Sequence, residues 1–393
     1  MSNLASAIST NRLKARGSTP DPSSRWERAS RVGVAPASPP AQSKLLGIDL
    51  FSGAGGMSLG AERAGIRVAL AVEADPHAAT TYRQNHPDAI VLNQRIESIR
   101  TLPVGHDKSR LIIFGGPPCQ GFSTSNQRTR SSANPLNWLF RHYVRIVRRI
   151  LPEWVVFENV TGMVTTEGGR FTDEILRSFA SAGYRTSHFI LNAAEFGVPQ
   201  RRSRLFIIAS RQGIAVEAPR SIKHQVTVWD AIGDLPVLRN GASIDELPYR
   251  CAPRSEYALQ MRGVLTASAN HLVSRNADSI IERYHFIPQG GNWSDIPARH
   301  MKTYEDRTRC HTGIYHRLNY REPSVVIGNF RKNMLIHPTQ SRGLSVREAA
   351  RLQSFPDSFQ FYGSIGFQQQ QVGNAVPPLL ASTVFRAIQE AEQ

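Results

Sequence analysis

The chain has 393 residues, a formal net charge of +16, 40% hydrophobic side chains and three cysteines, Cys119, Cys251 and Cys310. That length suggests roughly two to three domains. The cysteines are too few and too scattered for a disulfide framework or a zinc site, and a reducing, cytoplasmic setting fits them best. No apolar run reaches the ~18 residues of a membrane span, and the N-terminal stretch lacks a signal-type apolar core. The basic surplus points to an anionic partner, nucleic acid first.

Residues 1–43 are rich in Ser, Ala, Pro and Arg without periodicity, and read as a disordered basic tail. Lys44 to Phe51 reads as a strand. It runs into the glycine turn Ser52-Gly53-Ala54-Gly55-Gly56 and a helix to about Ala64. Strand, glycine turn and helix open a nucleotide-binding α/β unit, because glycines admit a ligand to the backbone and the helix start offers free N–H groups. The spacing is not that of a dinucleotide loop, and no Lys-Ser/Thr follows for a phosphate loop. A second strand, Val68 to Val72, ends at Glu73, twenty residues past Gly53. An acid there can accept from both ribose hydroxyls; an ordinary exposed glutamate at a strand end is the competing reading. Together these features favour an adenosine-bearing ligand.

Ala89 to Leu92 is a short third strand and Leu111 to Phe114 a fourth, stopped by Gly115-Gly116-Pro117-Pro118. The turn then presents Cys119. At the carboxyl edge of an open α/β sheet, where ligands bind, a thiol on a stiffened turn reads as a nucleophile. A buried structural cysteine is the alternative, but Gly-Gly-Pro-Pro-Cys-Gln-Gly is rich in backbone control and poor in packing groups. Six arginines and no acid lie between Arg128 and Arg149. They are either a solvated helix face or phosphate contacts. Thr124 to Asn134 reads as a loop able to close over a substrate, and Asn137 to Leu151 as an amphipathic helix.

Trp154 to Phe157 is a fifth strand, ending at Glu158-Asn159-Val160. Adjacent parallel strands would bring Glu158 and Cys119 to one sheet edge. An acid beside a thiol suits protonation of a heterocycle while sulfur adds to it, and a carboxylate ending a buried strand needs a partner. Phe171 to Ala182 is a helix; Tyr184 to Leu191 and Arg204 to Ala209 are strands. Between the strands, alternation puts Arg202 and Arg204 on one face, able to reach a phosphate or a base carbonyl or to form ordinary salt bridges. From His224 the α/β rhythm stops and an irregular second domain follows. Within it Ser345 and Glu348 form a capping box for a helix to Phe355. Gln371-Val372-Gly373-Asn374-Ala375-Val376-Pro377-Pro378 leads into an apolar C-terminal helix.

These motifs, in this order over residues 45–385, resemble those of the DNA (cytosine-5)-methyltransferases of bacterial modification type. The resemblance implies an α/β fold: a Rossmann-like S-adenosylmethionine-dependent domain, residues 44–223 plus 371–393, and a smaller irregular target-recognition domain, 224–370. It implies Cys119 as nucleophile, Glu158 against the target cytosine, and Arg202 and Arg204, with Gln200, in a Gln-x-Arg-x-Arg motif whose second arginine approaches the base. The cofactor, S-adenosyl-L-methionine, would lie against Phe51, Ser52, Gly53, Gly55, Gly56, Glu73, Ala74, Pro117, Asn374 and Val376, with no metal. The partner would be double-stranded DNA. The protein would act as a monomer away from membranes, with a cognate endonuclease encoded separately. One departure stands out: Arg95 lies where the family often has an Asp that holds the adenine amino group. Rival readings are the same chemistry on transfer RNA, a catalytically silent binding module, and a nicotinamide oxidoreductase.

Overall fold

The computed structural model describes residues 45–103, 110–118, 138–222, 224–301, 313–328, 330–332 and 334–393. All seven strands expected from the sequence form, and they share one sheet. In chain order they are β1 (Leu46–Leu50), β2 (Arg67–Val72), β3 (Ile90–Leu92), β4 (Leu111–Gly115), β5 (Trp154–Val160), β6 (Arg185–Asn192) and β7 (Ser203–Ser210). The sheet order is β3-β2-β1-β4-β5-β7-β6. The first five strands are parallel, and β7 inserts antiparallel between β5 and β6.

The inner strands β4, β5 and β7 are apolar on both faces because helices cover both. On one face Ile48, Leu50, Ile113, Val155 and Phe157 pack with helices α3 (Phe140–Ile150) and α5 (Arg170–Ala180), which flank the one-turn α4 (Gly162–Thr165). On the other, Val68, Ile112, Phe114, Val156 and Phe206 meet α1 (Gly56–Arg63) and the C-terminal helix α11 (Pro378–Ala391). Alternate residues of each strand serve alternate layers. Helix α2 (Pro76–Asn85) joins β2 to β3. Its Asp75 N-cap accepts from the amides of His77 and Ala78, with Pro76 in the first turn.

From residue 224 to 301 the secondary structure is short. It comprises α6 (Val228–Ile232), α7 (Glu256–Arg262), α8 (Asp278–His285) and a two-stranded ladder of β8 (Leu247–Pro248) with β9 (Ala267–Ser268). The expected capping box is present on α9 (Val346–Leu352): Ser345 accepts from Glu348 N, and Glu348 accepts from Ser345 N. That helix stops at Leu352 rather than Phe355. A second difference is α10 (Ile365–Asn374), which runs through the expected domain boundary at 370/371. Its glutamine-rich sequence has no apolar stripe to announce it.

Cys119 lies outside the described residues, together with Cys310, Arg128, Arg130, the loop from Thr124 to Asn134 and the tail 1–43. Among the described residues no helix is long and apolar enough to cross a membrane, and no cluster of His, Cys, Asp and Glu could hold a metal.

Candidate active site

Strand β1 ends at the carboxyl edge of the sheet and leads into the glycine turn through Phe51. Phe51 adopts φ 62°, a left-handed backbone that costs a non-glycine residue roughly 1–3 kcal/mol. This strain turns the chain out of the sheet and leaves Phe51 lining a cleft of about 950 Å³. Gly55, at φ 101°, caps α1; a Cβ there would stand 2.3 Å from Nε2 of His86. Gly55 therefore packs on His86 and does not line the cleft, whereas Ser52, Gly53 and Gly56 do.

Strand β2 delivers Glu73 to the same cleft. Its Oε2 accepts from Gly53 N at 2.8 Å and its Oε1 from Asp75 N at 2.7 Å, so the acid holds the glycine turn in place. Burial raises its carboxyl above the ordinary value, against those two amide bonds. Ala74, Pro117, Asn374 and Val376 also line the cleft. Pro118, the residue before Cys119, lines it as well. Asn159 Nδ2 donates to Pro117 O at 3.0 Å, tying the proline turn to β5. The expected juxtaposition of strands is present: β4 pairs in parallel with β5, Gly115 opposite Phe157.

Glu158 is buried within β5, which extends to Val160 because β7 pairs with it that far. Phe206 is directly opposite Glu158, so Arg204, two residues along, is its diagonal neighbour on the same face. Arg204 Nε lies 3.0 Å from Glu158 Oε1. Thus the partner required by Glu158 comes from the arginine-rich segment itself. Burial raises the Glu158 carboxyl, and the positive charges of Arg204 and Arg202 only partly oppose it. The fit is tight: a Cβ on Gly116 would stand 2.4 Å from Glu158 Oε2, so only glycine leaves room for the acid.

Arg202 is buried and donates to the carbonyls of Ile327 and Gly373, at 3.4 and 3.2 Å. Gln200 is also buried. It bonds Leu352 O and the Gln353 side chain and accepts from Ile327 N. These two residues tie β7 to the segment after residue 320. Of the arginines read as either a solvated helix face or phosphate contacts, two make contacts within the fold. Arg145 donates to Ile96 O and Ile99 O, and Arg141 pairs with Glu174 at 2.8 Å beside Trp138. At the departure, Arg95 points its exposed guanidinium to Glu97 Oε1 at 2.5 Å, and both line the cleft. A carboxylate thus returns two residues after the expected position.

Asp49 Oδ1, Ser52 Oγ, Arg202 Nε and Gln371 Oε1 are buried, belong to residues lining this one cleft, and have no hydrogen-bond partner. Buried polar atoms are nearly always paired, so the cleft is built for a polar ligand.

A seven-stranded sheet, parallel but for β7 inserted antiparallel beside β5, with helices on both faces and a cleft at its carboxyl edge, is a Rossmann-like methyltransferase fold. A prophage-encoded E. coli chain described as a DNA modification methyltransferase shares it, with a TM-score of 0.70 at 24% identity, covering 88% of this chain and 99% of its own. A family profile for C-5 cytosine-specific DNA methylases matches residues 45–390. The type II methyltransferase M1.HphI of Haemophilus parahaemolyticus is 40% identical over 348 residues, 87% of this chain and 86% of its own. M.DdeI of Desulfomicrobium norvegicum is 35% identical over 369 residues, 87% and 88%. The chain belongs to the C-5 cytosine-specific DNA methylase family and is a DNA (cytosine-5)-methyltransferase.

Proposed function

We propose that this enzyme transfers a methyl group from S-adenosyl-L-methionine to C5 of one cytosine within a specific double-stranded sequence, as the modification partner of a separately encoded restriction endonuclease. The observation that carries the reading is the buried Glu158–Arg204 pair on the wall of the cleft that the glycine turn also lines. The type II names of its relatives support the biological setting.

The chemical difficulty is that C5 of cytosine is a poor nucleophile inside a stacked helix. Extruding the base costs a few kcal/mol. The Cys119 thiolate then adds to C6. Glu158, whose carboxyl is raised by burial, donates a proton to N3 and accepts from the amino group, so the ring accepts the electrons that sulfur supplies. Arg204 fixes the carbonyl side. When bound, the cofactor supplies a methyl on a sulfonium, an electrophile for the activated C5. Loss of the C5 proton to a water molecule, return of the N3 proton to Glu158 and expulsion of the thiolate restore the C5–C6 double bond and give 5-methylcytosine. A free thiol has a pKa near ~8.5, so the thiolate must be favoured by local positive charge, which Arg202 and Arg204 would supply.

The unpaired Asp49, Ser52 and Gln371 atoms suit the hydroxyls and amino acid of this cofactor. Phe51 would lie against its adenine, Glu73 would take the ribose, Asn374 and Val376 would close the amino-acid end, and Glu97 stands near enough in sequence to Arg95 to take the adenine amino group. The segment from residue 224 to the start of α10 would form the recognition domain, reading the major groove through arginines, in a monomer.

The test has two parts. Cys119→Ala should abolish transfer while DNA binding survives; full activity would remove the cysteine from the mechanism. Bisulfite-type mapping of DNA from cells expressing the chain should show one methylated sequence; unmodified DNA would remove the DNA reading.

A further inference from the structure

Helix α10 presents Phe367, Gln370, Gln371 and Asn374 to the cleft. Their spacing of three, four and seven residues is one helical face, about 10 Å long. Its first two residues, Phe367 and Gln370, lie outside the Gln371–Pro378 stretch that the sequence singles out. Phe367 is 37% exposed, and its ring stacks on His77 at 3.7 Å between centroids, 26° between planes. Phe51 and Phe367 are the aromatic residues among those lining the cleft. Gln371, one turn further, is 7% exposed, and its Oε1 has no partner. An open aromatic surface and a buried unpaired acceptor therefore lie on one wall of the ligand cleft.

The wall is fixed before any ligand arrives. Asn85 of α2 bonds Gln360 through both its carbonyl oxygen and its amide nitrogen, and Tyr362 N donates to Thr81 Oγ1. Gln371 Nε2 donates to Tyr362 O at 3.0 Å, which holds the side chain and leaves Oε1 for another donor. Gly363, at φ 102°, lets the chain turn beside His77, where a Cβ would stand 3.2 Å from Nδ1. Asp75, whose N–H donates to Glu73 Oε1, accepts from His77 N at 2.8 Å, so the His77–Phe367 stack is tied to the part of the cleft that Glu73 serves.

We infer that Phe367 and Gln371 form a cap over the adenosine of the cofactor: the ring covers the nucleoside, and Gln371 Oε1 accepts a hydrogen bond from one of its hydroxyl or amino donors. This rests on the adenosyl-cofactor reading above. It makes α10 a binding helix along its whole length, and it gives the His77–Phe367 stack the task of holding the ring in place.

The test is calorimetric titration of the full chain with S-adenosylhomocysteine and with 5′-methylthioadenosine, which lacks the amino acid. Because the cap acts on the shared nucleoside, Phe367→Ala should weaken both ligands equally, about tenfold. Phe367→Leu should lose less, and Gln371→Met should weaken both several-fold. Phe367→Trp should retain binding and change its emission when either ligand is added. Unchanged thermal melts would show that the variants fold. Binding of both ligands by Phe367→Ala within twofold of wild type, or a loss confined to S-adenosylhomocysteine, would overturn the cap while leaving the cofactor reading intact. A wild-type chain that binds neither ligand would overturn both.

Discussion

At the scale of single residues, the site turns on the protonation of Glu158. Its carboxyl is raised by burial, so the protonated form needed to donate to a ring nitrogen persists to higher pH than in an exposed glutamate. Methyl transfer should therefore decline on the alkaline side as Glu158 ionises. Glu158→Gln should lower the rate by about 100-fold, within the range of a lost acid–base group, and should lack that alkaline decline. A variant that keeps the wild-type pH profile would show that another group sets it. Gly116 guards the same proton. Because a Cβ there would stand 2.4 Å from Oε2 of Glu158, Gly116→Ala should displace the acid and cut transfer by roughly tenfold or more, as expected for ~1 Å of misplacement. A thermal melt close to wild type would separate this from unfolding. The need of Glu158 for a partner was legible in the sequence, since it is an acid ending an apolar run. That the partner is Arg204 was not, because it depends on β7 pairing antiparallel with β5 in one particular register.

At the scale of elements, α9 shows how the irregular half is held. Burial alone would raise Glu348, but Arg342 and His337, with the Arg342 and Ser345 hydrogen bonds, outweigh it and hold the carboxyl down at about 2. Arg342 reaches both oxygens, at 2.8 and 2.6 Å. A depressed carboxyl contributes stability above its unfolded pKa, and that contribution is lost as pH falls through its folded value. Glu348→Gln should therefore destabilise the chain by about 3 kcal/mol at pH 7. In denaturant melts the gap to wild type should narrow as pH drops from about 4.5 toward 2; a gap independent of pH would mean that packing, not charge, is lost. Capping box and helix were both readable at α9, because the signal is local. Helices α2 and α10 were not read. Pro76–Asn85 and Ile365–Asn374 are polar sequences whose inner faces pack on neighbours distant in the chain. Only the Asp75-Pro76 start of α2 gave a local cue.

At the scale of the whole molecule, the question is where the charge of +16 acts. Residues 1–43 hold six basic and two acidic side chains, so twelve of the sixteen surplus charges lie beyond them. Many arginines in the folded part are committed internally. Arg202, Arg283, Arg317, Arg342, Arg347 and Arg351 are buried, but so are Asp49, Glu158, Asp234, Glu348 and Asp357, which nearly balance them. Among the described residues, burial therefore withdraws about one net charge, and the rest of their surplus faces solvent and is available to phosphates. Neutralising roughly four phosphates would make affinity for duplex DNA fall about 100-fold between ~50 and ~200 mM salt. Because most of the surplus lies past residue 43, a chain beginning at Lys44 should keep most of that salt dependence, and its methylated sequence should not change. Loss of the salt dependence on truncation would place the phosphate contacts in the tail. Base readers would then be the only part of the DNA interface left to the folded half, and affinity without the tail would no longer respond to salt.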